Sequence, residues 1–167
     1  MKLRLASELQ PDSIIDGDGI RTVIWFQGCL HKCPGCHNPE THDLNGGKEF
    51  DIETVLEQID NLKYQNGITL SGGDPFYQAK AAAAIAKHAH EIGLNVWAYT
   101  GFIYEELISE YDKDRIELLN NIDVLVDGPF ILSLKSLECK FRGSKNQRII
   151  DVPKSLESKE VVLLYED

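Results

Sequence analysis

The chain has 167 residues, 43% of them hydrophobic and 26% charged, which fits one domain over residues 1–167 with a buried core. Its formal net charge of −10, without any block of Lys and Arg, argues against a nucleic-acid partner. No apolar stretch approaches the roughly 18 residues of a membrane span, and no apolar segment near the N-terminus is long enough for a signal peptide.

The N-terminal part of the chain is predicted to contain two strands. The first covers residues 3–9 and ends at a turn over residues 11–13, and the second covers residues 21–27. Between them, residues 16–19 have the sequence Asp-Gly-Asp-Gly. Loops that cradle phosphate follow a strand and open a helix, whereas this stretch precedes a strand, so we interpret it as a turn.

Three cysteines follow the second strand within eight residues, as Cys29, Cys33 and Cys36, with the spacing Cys-x3-Cys-x2-Cys. Thiols clustered in one loop indicate metal binding in a reducing cytoplasm rather than disulfides. Three thiolates are one fewer than a closed tetrahedral site needs. Either His31 or His37 completes a structural zinc site, or the fourth position stays open on a 4Fe–4S cluster. No second Cys-x2-Cys or His pair occurs downstream, which favours the cluster.

Helices and strands are predicted to alternate after a polar, turn-rich return over residues 38–47. Helices are predicted over residues 51–63, 77–91, 105–110 and 114–120, and strands over residues 67–71, 95–100 and 122–127. Such alternation implies βαβ units and a parallel sheet, so the predicted fold class is α/β.

The C-terminal part of the chain is less regular. A helix is expected over residues 131–137, a polar loop over 141–146, and strands over 147–151 and 161–165. Cys139 lies in this part, apart from the other three cysteines, and we expect it to be a thiol without catalytic importance.

The residues best suited to bind a ligand or a metal follow the carboxyl ends of the predicted parallel strands. These ends hold the three-cysteine loop, the glycine-rich stretch 72–74, Thr100 and Asp127. Ligands of parallel sheets bind at this edge, so we expect these residues to share one site. Asp127 is a candidate for the cofactor site, because burying a carboxylate at the end of a strand costs free energy unless a partner offsets it.

These motifs together resemble the radical S-adenosylmethionine superfamily. The cysteine spacing and Gly72-Gly73-Asp74-Pro75 carry that resemblance. Residues 16–21 and 27–29 are similar to the activating enzymes of glycyl-radical enzymes. Four further segments, residues 71–75, 99–101, 126–130 and 142–147, resemble the family that activates anaerobic ribonucleoside-triphosphate reductase. The match extends from about residue 15 to residue 151.

The resemblance implies a truncated, open parallel (βα) barrel, because the chain is short for a complete barrel of that superfamily. Cys29, Cys33 and Cys36 would bind three irons of one 4Fe–4S cluster, and the open fourth iron would chelate S-adenosyl-L-methionine. Gly72 and Gly73 would let backbone groups approach the methionine moiety. A side chain at Gly73 is therefore expected to weaken binding of this cofactor while the cluster is kept.

The resemblance also implies that Asp74 and residues 35–37 bind the cofactor. Asp74 would pair with the ammonium group of the cofactor. Gly35, Cys36 and His37 would lie near its adenine, with Gly35 at a position where many superfamily members have an aromatic residue.

The implied activity is reductive cleavage of S-adenosylmethionine to a 5′-deoxyadenosyl radical, which abstracts hydrogen from a glycine. The implied partner is the large subunit of anaerobic ribonucleoside-triphosphate reductase, and the implied electron donor is a flavodoxin. Three alternatives stay open: an activase of the pyruvate formate-lyase type, an iron–sulfur electron carrier, and a zinc-stabilised interaction module.

Overall fold

A single mixed sheet organises the computed structural model, which describes residues 1–165. Its eight strands are β1 Lys2–Leu5, β2 Gln10–Ser13, β3 Arg21–Phe26, β4 Lys48–Asp51, β5 Gly67–Gly72, β6 Asn95–Tyr99, β7 Val124–Asp127 and β8 Arg148–Asp151. The order across the sheet is β4-β1-β3-β5-β6-β7-β8, with β2 also paired to β3. Strands β3, β5, β6 and β7 are parallel, whereas β1, β2, β4 and β8 pair antiparallel with their neighbours.

Helices cover one face of this sheet. They are α1 Ile52–Asp60, α2 Ala79–Glu91, α3 Tyr104–Glu110, α4 Lys113–Asn120 and α5 Val152–Ser158. The alanines of α2 are mostly buried, and these small side chains let the helix pack closely on the sheet and on its neighbours. No helix within residues 1–165 is long and apolar enough to cross a bilayer.

The predicted α/β class and parallel centre are confirmed, because the apolar strands and amphipathic helices of the middle of the chain form as expected. The errors lie at the edges of the sheet. Residues 11–13, predicted as a turn, belong to β2, and the strand expected over residues 3–9 ends at Leu5. Strand β4 and helix α5 were not predicted. Their residues pair or pack with distant parts of the chain, and local periodicity does not report such contacts.

Two predictions for the C-terminal part are wrong. In place of a helix over residues 131–137, only a short 3₁₀ turn, Leu132–Leu134, forms. In place of a strand over residues 161–165, a single bridge joins Leu163 to Ile150. Leu132, Leu134 and Leu137 are all exposed, so no apolar face buries a helix there.

Arg21 fixes the glycine-rich stretch 16–19 against the sheet. Its side chain is buried, and it donates to the Thr69 hydroxyl (2.9 Å) and to the carbonyls of Asp18 (2.8 Å) and Ile68 (2.7 Å). Burial lowers the pKa of Arg21 to about 10. Gly17 has φ +126° and packs against the Trp97 ring, so the stretch is a turn, as expected.

Candidate functional site

A cavity of about 330 Å³ lies at the carboxyl ends of the parallel strands. Eight of the residues singled out in the sequence line it: Cys29, His31, Cys33, Cys36, His37, Gly72, Gly73 and Thr100. Three others, Gly35, Asp74 and Asp127, are not on its wall. The expectation that one edge of the sheet gathers the chemically distinctive residues is therefore confirmed for most of them.

The cysteine loop is held by backbone hydrogen bonds that do not depend on its thiols. The N–H of Gly28 donates to the Thr41 carbonyl (2.7 Å), and that of Cys29 donates to the His42 carbonyl (3.1 Å). The N–H of Cys36 donates to the Cys33 carbonyl (3.1 Å). Between these two residues lies the tight turn that the Pro-Gly pair predicts, with φ +75° at the glycine.

Gly35 is required by this turn. Its positive φ favours glycine, and an added Cβ would lie 2.8 Å from Cδ1 of Leu132. An aromatic residue there would collide with the segment that carries Leu132.

The three loop cysteines fit an iron–sulfur cluster. None of them is in a disulfide, and all three line the same cavity. Burial raises the pKa of the Cys29 thiol to about 11, so iron binding there must displace a proton. Within residues 1–165, no three His, Cys, Asp or Glu side chains converge on one metal ion. A cluster does not need such convergence, because each thiolate binds a different iron.

The double glycine joins the cavity wall to the cysteine loop. The Gly73 N–H donates to the Phe26 carbonyl (2.8 Å), and the next N–H, of Asp74, donates to the Gly28 carbonyl (2.9 Å). An added Cβ at Gly72 would overlap the Phe26 backbone, and one at Gly73 would overlap the Gly28 carbonyl. Both positions therefore need glycine because another backbone segment lies against them.

Asp74 lies beneath the cavity, where its carboxylate is completely buried. Its Oδ2 accepts from the Thr100 hydroxyl (2.8 Å) and the Gly101 N–H (2.9 Å), and lies 2.7 Å from Nε2 of His31. Its Oδ1 accepts from the Phe76 N–H (2.9 Å). The carboxylate thus connects the loops after β3, β5 and β6. The sequence expectation of an ionic partner in the cofactor stays a prediction.

His31 is the residue of the cysteine loop that reaches this carboxylate. Its ring packs edge-on against Phe102, with centroids 4.6 Å apart, and an added Cβ at Gly101 would lie 2.6 Å from it. The sequence suggested His31 only as a zinc ligand. The short distance to Asp74 gives it a different role, as an anchor of the cysteine loop.

Replacing His31 with leucine is expected to loosen the cysteine loop. The variant keeps an apolar contact with Phe102 but loses the hydrogen bond to Asp74, a loss of about 1–3 kcal/mol. After anoxic reconstitution, iron should be released to a chelator several-fold faster than from wild type. His31→Gln, whose amide can donate to the same carboxylate, is the matched control and should release iron at close to the wild-type rate. Equal release from the leucine variant and wild type would refute the anchoring role.

Asp127 is held away from the cavity by an ion pair. Its two carboxylate oxygens lie 3.1 Å from Nε and 2.6 Å from an Nη of Arg148, and it also accepts from the Tyr104 N–H (2.8 Å). Hydrogen bonds to Asp127 and Glu105 raise the pKa of Arg148. The cost of burying this carboxylate is therefore offset by a guanidinium on β8, which the sequence pattern did not reveal.

Residues 142–147, which carried a family resemblance without a chemical role, form one wall of the cavity. Gly143 and Gln147 line it. The Gln147 amide accepts from the Gly143 N–H (2.9 Å) and donates to the Gly128 carbonyl (3.0 Å), and the Asn146 amide donates to the Pro129 carbonyl (2.8 Å). The segment is thereby fastened to the end of β7.

Other lining residues that sequence analysis missed come from two turns. Asp16 reaches the cavity from the glycine-rich turn, and Phe130 follows β7. The ring of Phe130 lies 5.1 Å from that of His37. The Asp-Gly-Pro-Phe segment was the available signal for Phe130, since its strand ends at the cavity.

Comparison with known proteins gives a consistent result. The model of the family described as 4Fe-4S single cluster domain matches residues 15–150. A protein of Salmonella typhi named anaerobic ribonucleoside-triphosphate reductase-activating protein is 36% identical over 145 residues, covering 82% of this chain and 92% of its own. Proteins of the same name from Escherichia coli K12 (36% identical; 82% and 92% covered) and Enterobacteria phage T4 (32%; 84% and 90%) are also similar.

Proposed function

Because the chain belongs to the family of anaerobic ribonucleoside-triphosphate reductase-activating proteins, we propose that it generates a glycyl radical on that reductase. The observation that carries the proposal is that Cys29, Cys33 and Cys36 line one cavity with the double glycine at the carboxyl ends of parallel strands. When bound, a reduced 4Fe–4S cluster supplies the electron that cleaves S-adenosylmethionine to a 5′-deoxyadenosyl radical.

The protein residues bind and orient the reactants in this proposal. Cys29, Cys33 and Cys36 would hold the cluster through their thiolates, and the iron without a thiolate would be open to the cofactor. Gly72 and Gly73 line the cavity, so the methionine moiety would lie against their backbone, and their lack of side chains lets this wall pack against the backbone of Phe26 and Gly28.

The surrounding side chains shape the rest of the cofactor site. His37 and Phe130 offer aromatic surface to the adenine. Asp74 lies below the cavity and positions Thr100 and the loop that follows it, by accepting hydrogen bonds from Thr100 and Gly101. Gly35 and Asp127 contribute through the backbone geometry that they impose, so we do not assign them contacts with the cofactor.

The shape of the sheet supports a macromolecular substrate. Four parallel strands are followed by an antiparallel strand on one side and preceded by antiparallel strands on the other, so the sheet is not closed. We interpret this arrangement, seen within residues 1–165, as one truncated, open (βα) barrel. An open rim lets a loop carrying a glycine reach the site without being enclosed. The clustered thiols favour a reducing cytoplasm, where a flavodoxin is our candidate electron donor.

Electron paramagnetic resonance tests the proposed function. The anoxically reconstituted and reduced protein, mixed with S-adenosylmethionine and the large subunit of the reductase, should give the doublet of a glycine-centred radical. Deuteration of the glycine α-position should collapse the doublet toward a singlet. Pyruvate formate-lyase in place of the reductase should give no radical. If 5′-deoxyadenosine accumulates while the reductase stays radical-free, the assigned partner is wrong.

A further inference from the structure

Residues 131–148, here called the basic arm, differ in charge from the rest of the chain. They hold five of the 17 Lys and Arg residues but only one of the 27 Asp and Glu residues. The remainder of the protein is therefore strongly acidic. A macromolecule with an acidic surface is repelled by most of this protein and attracted by the arm.

The basic arm also exposes apolar side chains next to the cavity. Leu137 is 95% exposed, Leu132 54% and Leu134 38%. Leu30, from the cysteine loop, is 53% exposed as well. Leu132 packs at Gly35, so the apolar surface of the arm adjoins the cysteine loop. Adjoining exposed apolar residues of this kind are typical of an interaction site rather than of an ordinary surface.

Hydrogen bonds within the arm fix its conformation, with an inner side toward the cavity and an outer side toward solvent. A bridge pairs Lys135 with Ser144, and the Lys145 N–H donates to the Leu134 carbonyl (2.9 Å). Its inner side contributes Gly143 and Gln147 to the cavity wall, while its outer side presents the leucines and lysines. A surface already held in shape loses little conformational entropy when a partner binds.

Two lysines carry the charge that is available to a partner. Arg148 is paired with Asp127 and Glu105, and Lys140 lies 3.9 Å from Asp18. Lys135 and Lys145 are exposed, and neither has a carboxylate within ion-pair distance among residues 1–165.

We propose that the basic arm is the docking surface for the reductase, and that it binds an acidic segment with apolar side chains close to the target glycine. This proposal rests on the proposed function and adds where the partner binds and by what chemistry. Leu132, Leu134 and Leu137 supply apolar contact, and Lys135 and Lys145 set the orientation. The arm thereby places the glycine loop over the cavity whose wall it forms.

The test compares arm variants with matched variants on helix α2, directly after it, and in the segment after helix α1. The arm variants are Lys135→Glu/Lys145→Glu and Leu137→Ser. The controls are Lys63→Glu/Lys87→Glu, which changes the charge equally, and Ile92→Ser, at a residue 44% exposed. The dissociation constant of the complex with the reductase large subunit is measured under anoxic conditions at low and high salt.

We expect each arm variant to bind about tenfold more weakly, and the controls to bind within about twofold of wild type. Added salt should weaken binding of wild type but have less effect on the double lysine variant. Formation of 5′-deoxyadenosine without the reductase should be unchanged, since none of the substituted residues lines the cavity.

Two outcomes would overturn the docking assignment. One is an unchanged dissociation constant in the arm variants. The other is a difference in sedimentation between the arm variants and wild type, each measured without the reductase, because it would make the arm a contact between two copies of this chain. Radical formation by wild type is scored separately, so its absence counts against the proposed function, whereas unaltered affinity counts against the arm.

Discussion

Cys33→Ala is expected to abolish assembly of the 4Fe–4S cluster, and Cys29→Ala and Cys36→Ala should do the same. Each of these thiols lines the cavity, and no fourth cysteine is there to replace one that is lost. Iron and acid-labile sulfide, measured after anoxic reconstitution, should fall from about four of each per chain to near zero, with loss of the visible absorption.

Cys139→Ala is the matched control for these variants. Cys139 belongs to the basic arm and does not line the cavity, so its substitution should leave iron and sulfide at the wild-type level. Circular dichroism distinguishes loss of the cluster from loss of the fold. Full cluster content in Cys33→Ala, or its loss in Cys139→Ala, would contradict the ligand assignment.

Gly73→Ala is expected to weaken binding of S-adenosylmethionine and to disturb the cluster as well. The added Cβ would overlap the Gly28 carbonyl and lie 2.8 Å from that of Thr41, and both belong to the support of the cysteine loop. Overpacking against backbone costs about 1–3 kcal/mol, so affinity should fall about tenfold to a hundredfold. The sequence alone predicted an effect on the cofactor without one on the cluster, and the position of Gly28 changes that expectation.

The control is Gly93→Ala, where φ is +85° and an added Cβ meets nothing within 4 Å. Alanine in this left-handed backbone costs about 1 kcal/mol, which Gly73→Ala does not carry because the φ of Gly73 is not positive. Gly93→Ala adds no steric overlap, so its cofactor affinity and iron content should stay at the wild-type level. Equilibrium dialysis and iron content are the measurements for both variants. Wild-type affinity in a folded Gly73→Ala protein would show that the double glycine is only a turn.

Sequence analysis succeeded where local features determine structure. The apolar strands and the periodic helices of the middle of the chain form as predicted, and the Pro-Gly turn between Cys33 and Cys36 forms with the φ that glycine favours. The gathering of cysteines and glycines at one edge follows from the parallel arrangement of β3, β5, β6 and β7, which alternation of strands and helices implies.

Contacts between residues far apart in the chain were not predictable from local sequence. The ion pair between Asp127 and Arg148, 21 residues later, was not predicted. The hydrogen bonds that Asp74 accepts from Thr100 and Gly101, and its contact with His31, were not predicted either, whereas its pairing with the cofactor stays a prediction. Edge strand β4 forms because it pairs with β1 near the start of the chain.

The order of strands in the sheet has a consequence for the way the protein is made. From β3 onward, β5, β6, β7 and β8 are added to one edge in the order in which the ribosome synthesises them. Each therefore finds its neighbour already present, and the chain can fold progressively as it emerges. The cysteine loop and the double glycine are made early, whereas Gly143 and Gln147 come late. We expect the nascent chain to have the cluster ligands in place before it has the arm that would receive a partner.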